Sequence, residues 1–290
     1  MAPEASTPSA EATTPTVKAS NLPPAAASAA AAAVASATAQ ASHDDDTEQD
    51  ETEASNDNKP SGTLITVFDD RVNFNVKHPL CSPWTLWFDS ASKQDKAKSW
   101  DEALVKVIGF ESVEEFWGLY NNIVPPSLIH LNSNYYLFKE GIKPAWEDPA
   151  NSKGGKWAVQ LPRGKYSAEI DNYWLYTMLA AIGEMFETPF DKAAATNSTT
   201  AVPSAFTNEV TGVIVSSRKA FYRINIWTRT ATPDVRARIE NIGRHLKYDV
   251  LGMEEGIKFS DRDKVSSDVE FVSHKDSQAK YGTKVTKWTV

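Results

Sequence analysis

The chain predicts an α+β domain behind a disordered acidic tail, and three observations carry that reading. Composition changes abruptly near residue 62, strand-type alternation recurs seven times beyond it, and three segments among those strands switch to helical spacing. Residues 1–62 are mainly Ala, Ser, Thr, Pro and acid, with no aromatic before Phe68. Such a segment buries too little apolar surface to offset its ordering entropy. It holds ten acids against Lys18 and Lys59, which is the whole formal charge of −8, so residues 63–290 balance 28 acids with 28 bases. A neutral body does not bind nucleic acid by bulk charge. The Ala-rich run 25–41 lacks a basic leader and any Leu, Ile or Phe, so it is neither a signal peptide nor a membrane span, and no membrane contact is expected. One cysteine, Cys81, rules out an internal disulfide and fits a reducing compartment. Five scattered His without Cys/His spacing give no metal site, and no cofactor is expected.

Strands are predicted at Trp84–Asp89, Ala103–Ile108, Tyr135–Lys139, Lys156–Leu161, Val210–Ser216, Phe221–Thr228 and Val269–Ser273, where apolar residues alternate with polar ones. Ser112-x-x-Glu115 is a capping box that opens the first helix, with Val113, Phe116, Trp117 and Tyr120 on one stripe. Asp171 caps a second helix carrying Trp174, Leu175, Met178, Leu179 and Ile182. Thr232 before Pro233 starts a third, in which Val235, Ile239, Ile242 and Leu246 repeat at helical spacing until Gly252 ends it. Trp84, Trp87, Trp157 and Trp174 sit on these patterns and read as core; Trp288 takes no role.

The stretch Trp146-Glu147-Asp148 lies between the Gly141-Ile142-Lys143-Pro144 turn and the strand start Gly154-Gly155-Lys156-Trp157. An indole offers a π face, and the carboxylate beside it accepts two parallel hydrogen bonds, which the N1–H and N2–H₂ edge of guanine donates. A half-buried strand Trp beside a solvated Glu has the same pattern. Trp100 shifts the balance, because it stands in the polar run 93–101 with nothing apolar nearby to bury it. Two loop indoles could clamp one flat ring, and a cationic ring gains from both negative faces. Guanine methylated at N7 is such a guest. Clustered carboxylates for a metal, or an activated nucleophile, are not seen, so no enzyme is expected.

The chain resembles the translation initiation factor 4E family, which binds the 7-methylguanosine cap of messenger RNA. The resemblance runs from about residue 70 to the C-terminus through His78-Pro79-Leu80, Trp84-Thr85-Leu86-Trp87-Phe88, Lys98-Ser99-Trp100, Val113-Glu114-Glu115-Phe116-Trp117, Trp146-Glu147-Asp148, Gly154-Gly155-Lys156-Trp157, Tyr173-Trp174-Leu175, Ile226-Trp227-Thr228 and Ile242-Gly243-Arg244. It implies a curved antiparallel sheet of about eight strands with three helices on its convex face. It also implies that Trp100 and Trp146 stack on the base, that Glu147 accepts from its edge and that Trp227 touches the methyl group. Lys156, Arg218, Arg223 and Lys280 would meet the cap phosphates, although an ordinary solvated charge explains each of them equally. Lys156 and Arg223 depart from the commoner family residue while keeping the charge.

The resemblance further implies a partner surface of His78, Pro79, Leu80, Val113, Trp117, Leu175 and Leu179 for the 4G scaffold and 4E-binding proteins. Their Tyr-x-x-x-x-Leu helix would dock there, with Tyr176 standing where an acid is usual. Thr283 stands at a phosphorylatable position. Residues 188–208 and about 260–268 look like insertions relative to the family. The reading is a monomeric cytoplasmic cap-binding factor, with a nuclear fraction, that recruits the scaffold. The alternative is a cap-binding repressor that does not.

Overall fold

The computed structural model describes residues 64–70, 72–90, 103–190, 207–254, 268–278 and 286–290. Trp100, Lys280, Thr283 and the acidic tail lie outside them, as does most of both apparent insertions. The strands are β1 (Pro79–Ser90), β2 (Val105–Ser112), β3 (Ser133–Lys139), β4 (Gly155–Pro162), β5 (Val210–Ser217), β6 (Phe221–Thr228), β7 (Glu270–Ser273) and β8 (Trp288–Thr289). They form one curved antiparallel sheet in the order β2-β1-β3-β5-β6-β4-β7-β8.

Side-chain alternation divides the sheet into two faces. Tyr135 and Leu137 of β3, Val213 and Val215 of β5, Tyr222, Ile224 and Ile226 of β6, and Trp157, Val159 and Leu161 of β4 enter the main core. Their neighbours along each strand point the other way, where Tyr136, Phe138, Ile214 and Trp227 make a smaller apolar cluster. Helices cover the first face. They are α1 (Val113–Tyr120), α2 (Arg163–Tyr166), α3 (Ile170–Ile182) and α4 (Arg236–Arg244), of which α1, α3 and α4 supply Phe116, Trp174, Met178, Ile239 and Ile242 to the main core, whereas the single-turn α5 (His274–Ser277) sets the His274 ring against Trp227 of the smaller cluster. No helix among the described residues is long and apolar enough to cross a membrane.

Several expectations are corrected locally. Ser112 does cap α1, its Oγ accepting from the Glu115 N–H at 3.3 Å, but the reciprocal half of the box is missing. The Glu115 carboxylate instead accepts from the Glu111 N–H at 2.9 Å and from Lys77 at 2.6 Å, because β2 runs straight into the helix through Ser112. For the same reason β2 occupies Val105–Ser112 rather than Ala103–Ile108. Asp171 is not a cap. The helix starts one residue earlier, at Ile170, and the Asp171 carboxylate accepts from the Ser127 N–H and Oγ at 2.8 and 2.6 Å, tying the chain before β3 to α3. The third helix opens at Thr232-Pro233 with a 3₁₀ turn, continues as α4, widens to a π turn over His245–Val250, and stops at Gly252, whose φ of 62° suits glycine.

Trp84, Trp157 and Trp174 are fully buried, as expected, while Trp87 is half-buried against the smaller cluster. Trp288, given no role above, belongs to the core: it stacks on Phe271 at 4.9 Å, and Arg236 lies over its ring. Ile242-Gly243-Arg244 acquires a physical reason too. A Cβ on Gly243 would sit 2.6 Å from the Trp157 ring, whose Nε1 donates to the Ile239 carbonyl at 2.8 Å. Both partners are buried, so neither yields cheaply. Gly243→Ala is therefore expected to destabilise the fold by about 1–3 kcal/mol. Urea unfolding should show a lower midpoint at unchanged slope.

Candidate functional site

On the face opposite the helices lies an open cleft of about 520 Å³. Strand register decides its lining. β6 contributes Arg223, Asn225 and Trp227 at alternate positions, and pairing sets Trp227 beside Lys156, Asn225 beside Ile214, and Arg223 beside Ser216. Trp227 forms an apolar floor. It is wedged between Phe138, edge-on at 5.5 Å, and the His274 ring at 4.2 Å, and is only 8% exposed.

Trp146 hangs over one end of the cleft, and the reason lies in its turn. The Asp148 N–H donates to the Ala145 carbonyl at 3.2 Å, which leaves Trp146 and Glu147 as the two central residues of a β-turn. Asp148 braces that turn by accepting from the N–H groups of Lys143 and Ala150 at 2.9 and 2.8 Å. Buried Asn151 braces it again, donating from Nδ2 to the carbonyls of Lys143 and Ala145 at 3.0 and 2.9 Å. In this three-residue motif the aspartate is scaffold, and the indole and glutamate form the tip. Trp146 is 48% exposed, Glu147 is exposed, and the Trp146 N–H meets no acceptor among the described residues. Behind the tip, a Cβ on Gly154 would fall 1.7 Å from the Thr228 carbonyl oxygen, so only glycine lets β4 start this close to β6.

The other end of the cleft is cationic. Lys156, Arg218 and Arg223 all line it, and Lys156 and Arg223 bond to no carboxylate among the described residues. Burial and then the neighbouring Arg223 hold the Lys156 ammonium below its usual range; burial and then Arg218 do the same to Arg223. Three cations sharing a part-buried wall, with like charges as neighbours, make a site whose charge is relieved by a bound polyanion. An exposed π face with an acceptor at one end and this cluster at the other can hold a flat, hydrogen-bonding ring joined to phosphates.

The structure therefore brings Trp146, Trp227, Lys156, Arg218 and Arg223 to one cleft; Glu147 does not line it and stands exposed beside Trp146 at the tip of the turn, while Trp100 and Lys280 fall outside the described residues. Asp89, Asn134, Tyr136, Ser216, Asn225 and His274 were not anticipated. Alternation from Trp227 back along β6 would have found Asn225, but the others depend on strand pairing. The partner-surface residues lie on the helix-covered face. Val113 and Trp117 are 38% and 37% exposed, and Leu80, Leu175 and Leu179 are half-buried against the core. Glu114 holds the His78 segment to α1, accepting from the His78 N–H at 2.9 Å and contacting its Nδ1 at 2.6 Å. The Val113 N–H returns a bond to the His78 carbonyl at 2.9 Å.

His274 is the most perturbed titratable group beside the cleft. Its N–H is tied to the Gly154 carbonyl, its Nε2 has no partner among the described residues, and burial, with Lys156 adding to it, pushes its pKa down to about 4. The unfolded chain takes up this proton near pH 6.5 and the folded chain only near 4, so stability is lost as pH falls through that window. His274→Gln should lack this component. Urea unfolding at pH 7 and 4.5 is expected to show a wild-type loss larger than the variant's by about 2–3 kcal/mol.

Comparison with known proteins agrees with this geometry. The family model described as Eukaryotic initiation factor 4E matches residues 79–288. Eukaryotic translation initiation factor 4E-1 of Schizosaccharomyces pombe is 38% identical over 234 residues, covering 81% of this chain and 92% of that protein. Eukaryotic translation initiation factor 4E of Candida albicans is 39% identical over 216 residues, covering 74% and 88%. Among solved structures, Ascaris suum eIF4E-3 in complex with an m2,2,7G cap superimposes with a TM-score of 0.56 at 31% identity, covering 73% of this chain and 97% of that one. C. elegans eIF4E-3 in complex with the 4E-binding protein Mextli gives 0.56 at 30%, covering 71% and 98%.

Proposed function

The chain belongs to the eukaryotic initiation factor 4E family, and on that premise we propose that it holds the 7-methylguanosine cap of messenger RNA in this cleft and recruits a 4G scaffold through the Trp117 face. Members of the family are cap-binding proteins of translation initiation, not enzymes. The observation that carries the site assignment is the joint presence, in one cleft, of Trp146 and the Lys156–Arg218–Arg223 cluster, with Glu147 next to Trp146 at the tip of its turn.

In this reading the methylated base stacks on Trp146, with Trp100 as the second plate. Glu147 accepts from N1–H and N2–H₂, and the free Trp146 N–H donates to O6. Methylation at N7 spreads positive charge over the base, which strengthens the stacking and makes N1–H a better donor. Trp227 meets the methyl group as an apolar floor. The triphosphate runs to Lys156, Arg218 and Arg223, with Lys280 reaching it from the C-terminal segment. All of these residues act by binding alone, and no bond is made or broken.

For the second surface, half-exposed Val113 and Trp117 on α1 provide apolar anchors for an amphipathic helix carrying Tyr-x-x-x-x-Leu. The solved relative bound to Mextli supports a protein-docking role of this kind in the family. A cap-binding repressor would share the cleft and lack scaffold capture, so the two readings part at this surface.

Tryptophan fluorescence titration should show 7-methylguanosine triphosphate binding at least about tenfold tighter than GTP. Trp100→Ala and Trp146→Ala should each cost about 1–3 kcal/mol of that affinity through one lost stacking face. Glu147→Ala should cost at least as much, since the guanine donors lose their acceptor. Equal affinity for both nucleotides would overturn the assignment. Trp117→Ala should abolish capture of a Tyr-x-x-x-x-Leu peptide while cap affinity changes by less than a few-fold, because the residue lies across the sheet from the cleft. Wild-type protein that binds cap but captures no such peptide would be a repressor.

A further inference from the structure

Asp89 is a carboxylate on the wall of a cleft whose ligand, in the reading above, is a polyanion. By charge alone it opposes binding, and it is only 9% exposed, so burial also costs it hydration. Its contacts supply a reason. Oδ1 accepts from Asn134 Nδ2 at 2.5 Å, and Oδ2 accepts from the Tyr136 hydroxyl at 3.2 Å. The other end of the same amide, Asn134 Oδ1, accepts from Arg218 Nη2 at 2.8 Å. Arg218 Nη1 donates to the carbonyls of Ser133 at 3.3 Å and Ser217 at 3.0 Å.

An asparagine amide has two orientations related by a flip about its last torsion, and they present opposite hydrogen-bonding ends. Here only one is tolerable. With the amide reversed, its carbonyl would face the Asp89 carboxylate and its NH₂ would face the guanidinium, an acceptor against an acceptor and a donor against a donor. The guanidinium and the carboxylate therefore select the same orientation, and Asp89 holds the far end of the amide so that its oxygen stays toward Arg218. Three of the five guanidinium N–H donors are then occupied by fixed acceptors, which holds the plane in place and leaves two for a bound anion. The chain of contacts spans β1, β3 and the end of β5, which are sheet neighbours, so the sheet itself sets the spacing.

We propose that Asp89 is a positioning residue for the phosphate end of the cleft, acting through the Asn134 amide to hold Arg218 in its phosphate-binding pose. This rests on the cleft being the cap site. A carboxylate placed there only by packing predicts the opposite sign, since removing a negative charge beside a polyanion site tightens binding.

The test compares 7-methylguanosine triphosphate with 7-methylguanosine monophosphate on the full chain, which separates the phosphate end from the base end. Asp89→Leu removes the acceptor and leaves the Asn134 amide held at one end only, and is expected to weaken the triphosphate by about tenfold, the size of one lost charge-assisted hydrogen bond, and the monophosphate by less than about threefold. Asp89→Asn keeps an acceptor for Asn134 Nδ2 while removing the charge, and is expected to restore the triphosphate to wild-type affinity or better. Asn134→Leu cuts the same relay one step later, so the Asp89→Leu/Asn134→Leu double variant should lose no more than the worse single variant. Should Asp89→Leu not fold, Asp89→Ala, which also removes the acceptor, takes its place with the same expected losses and the same overturning result. Tighter triphosphate binding by Asp89→Leu, equal losses for both nucleotides, or additive losses in the double variant would overturn it. Wild-type protein with no preference for the triphosphate over the monophosphate would instead overturn the cap-site reading beneath it.

Discussion

The two-residue alternation of the β3-β5-β6-β4 sheet centre is the constraint from which the rest follows. One set of side chains, including Leu137, Val215, Ile224 and Trp157, must be apolar to bury the helices, and it is almost wholly inaccessible. The other set is free to carry chemistry. Tyr136, Ser216, Arg223, Asn225, Trp227 and Lys156 occupy it, and none could move to the neighbouring position without entering the core. A register slip of one residue would invert both faces together. Fold stability and the composition of the cleft are thus set by one geometric fact.

Within that frame the cleft is electrically unbalanced, and deliberately local. The body as a whole is neutral, so no long-range field collects nucleic acid. Lys156 and Arg223 instead stand part-buried and without carboxylate partners among the described residues, next to Arg218. Mutual repulsion and lost hydration raise the free energy of the empty site, and a triphosphate relieves both. Such a site favours a ligand that presents concentrated charge beside a stacking ring over a general polyanion. The braced turn at Ala145–Asp148 works toward the same end by fixing the indole and the Glu147 carboxylate before any ligand arrives.

The helix-covered face is organised separately. Glu114 grips the backbone and ring of His78, while Glu115 binds Lys77 and the Glu111 N–H, so α1 is locked to the start of β1. Burial raises the Glu114 carboxyl, but its bonds to His78 outweigh this and hold it below the usual range. Phe116 enters the core and Trp117, the next residue around the helix, stays half-exposed. A helix of two turns has room for one buried stripe, which is why an aromatic at the adjoining position remains available to a partner.

Much of this molecule was legible in its residues. Alternation located seven of the eight strands, with β6 at Phe221–Thr228 to the residue, because period-two burial is a local property of the chain, and missed the two-residue β8, too short to alternate. The pairing of Trp146 with Glu147 pointed to a flat hydrogen-bonding base, and the spaced aromatic motifs pointed to the family. What the linear order left open was who meets whom. Asp171 has the chemistry of a cap and instead holds Ser127, 44 residues away; Trp288 has no local pattern and packs on Phe271. Asn134 lies 45 residues from Asp89 and 84 from Arg218, yet the three form one line of hydrogen bonds. A side chain's place on its own strand follows from its neighbours in sequence. Its partners across the sheet follow from strand order and register, which only closure of the whole core determines.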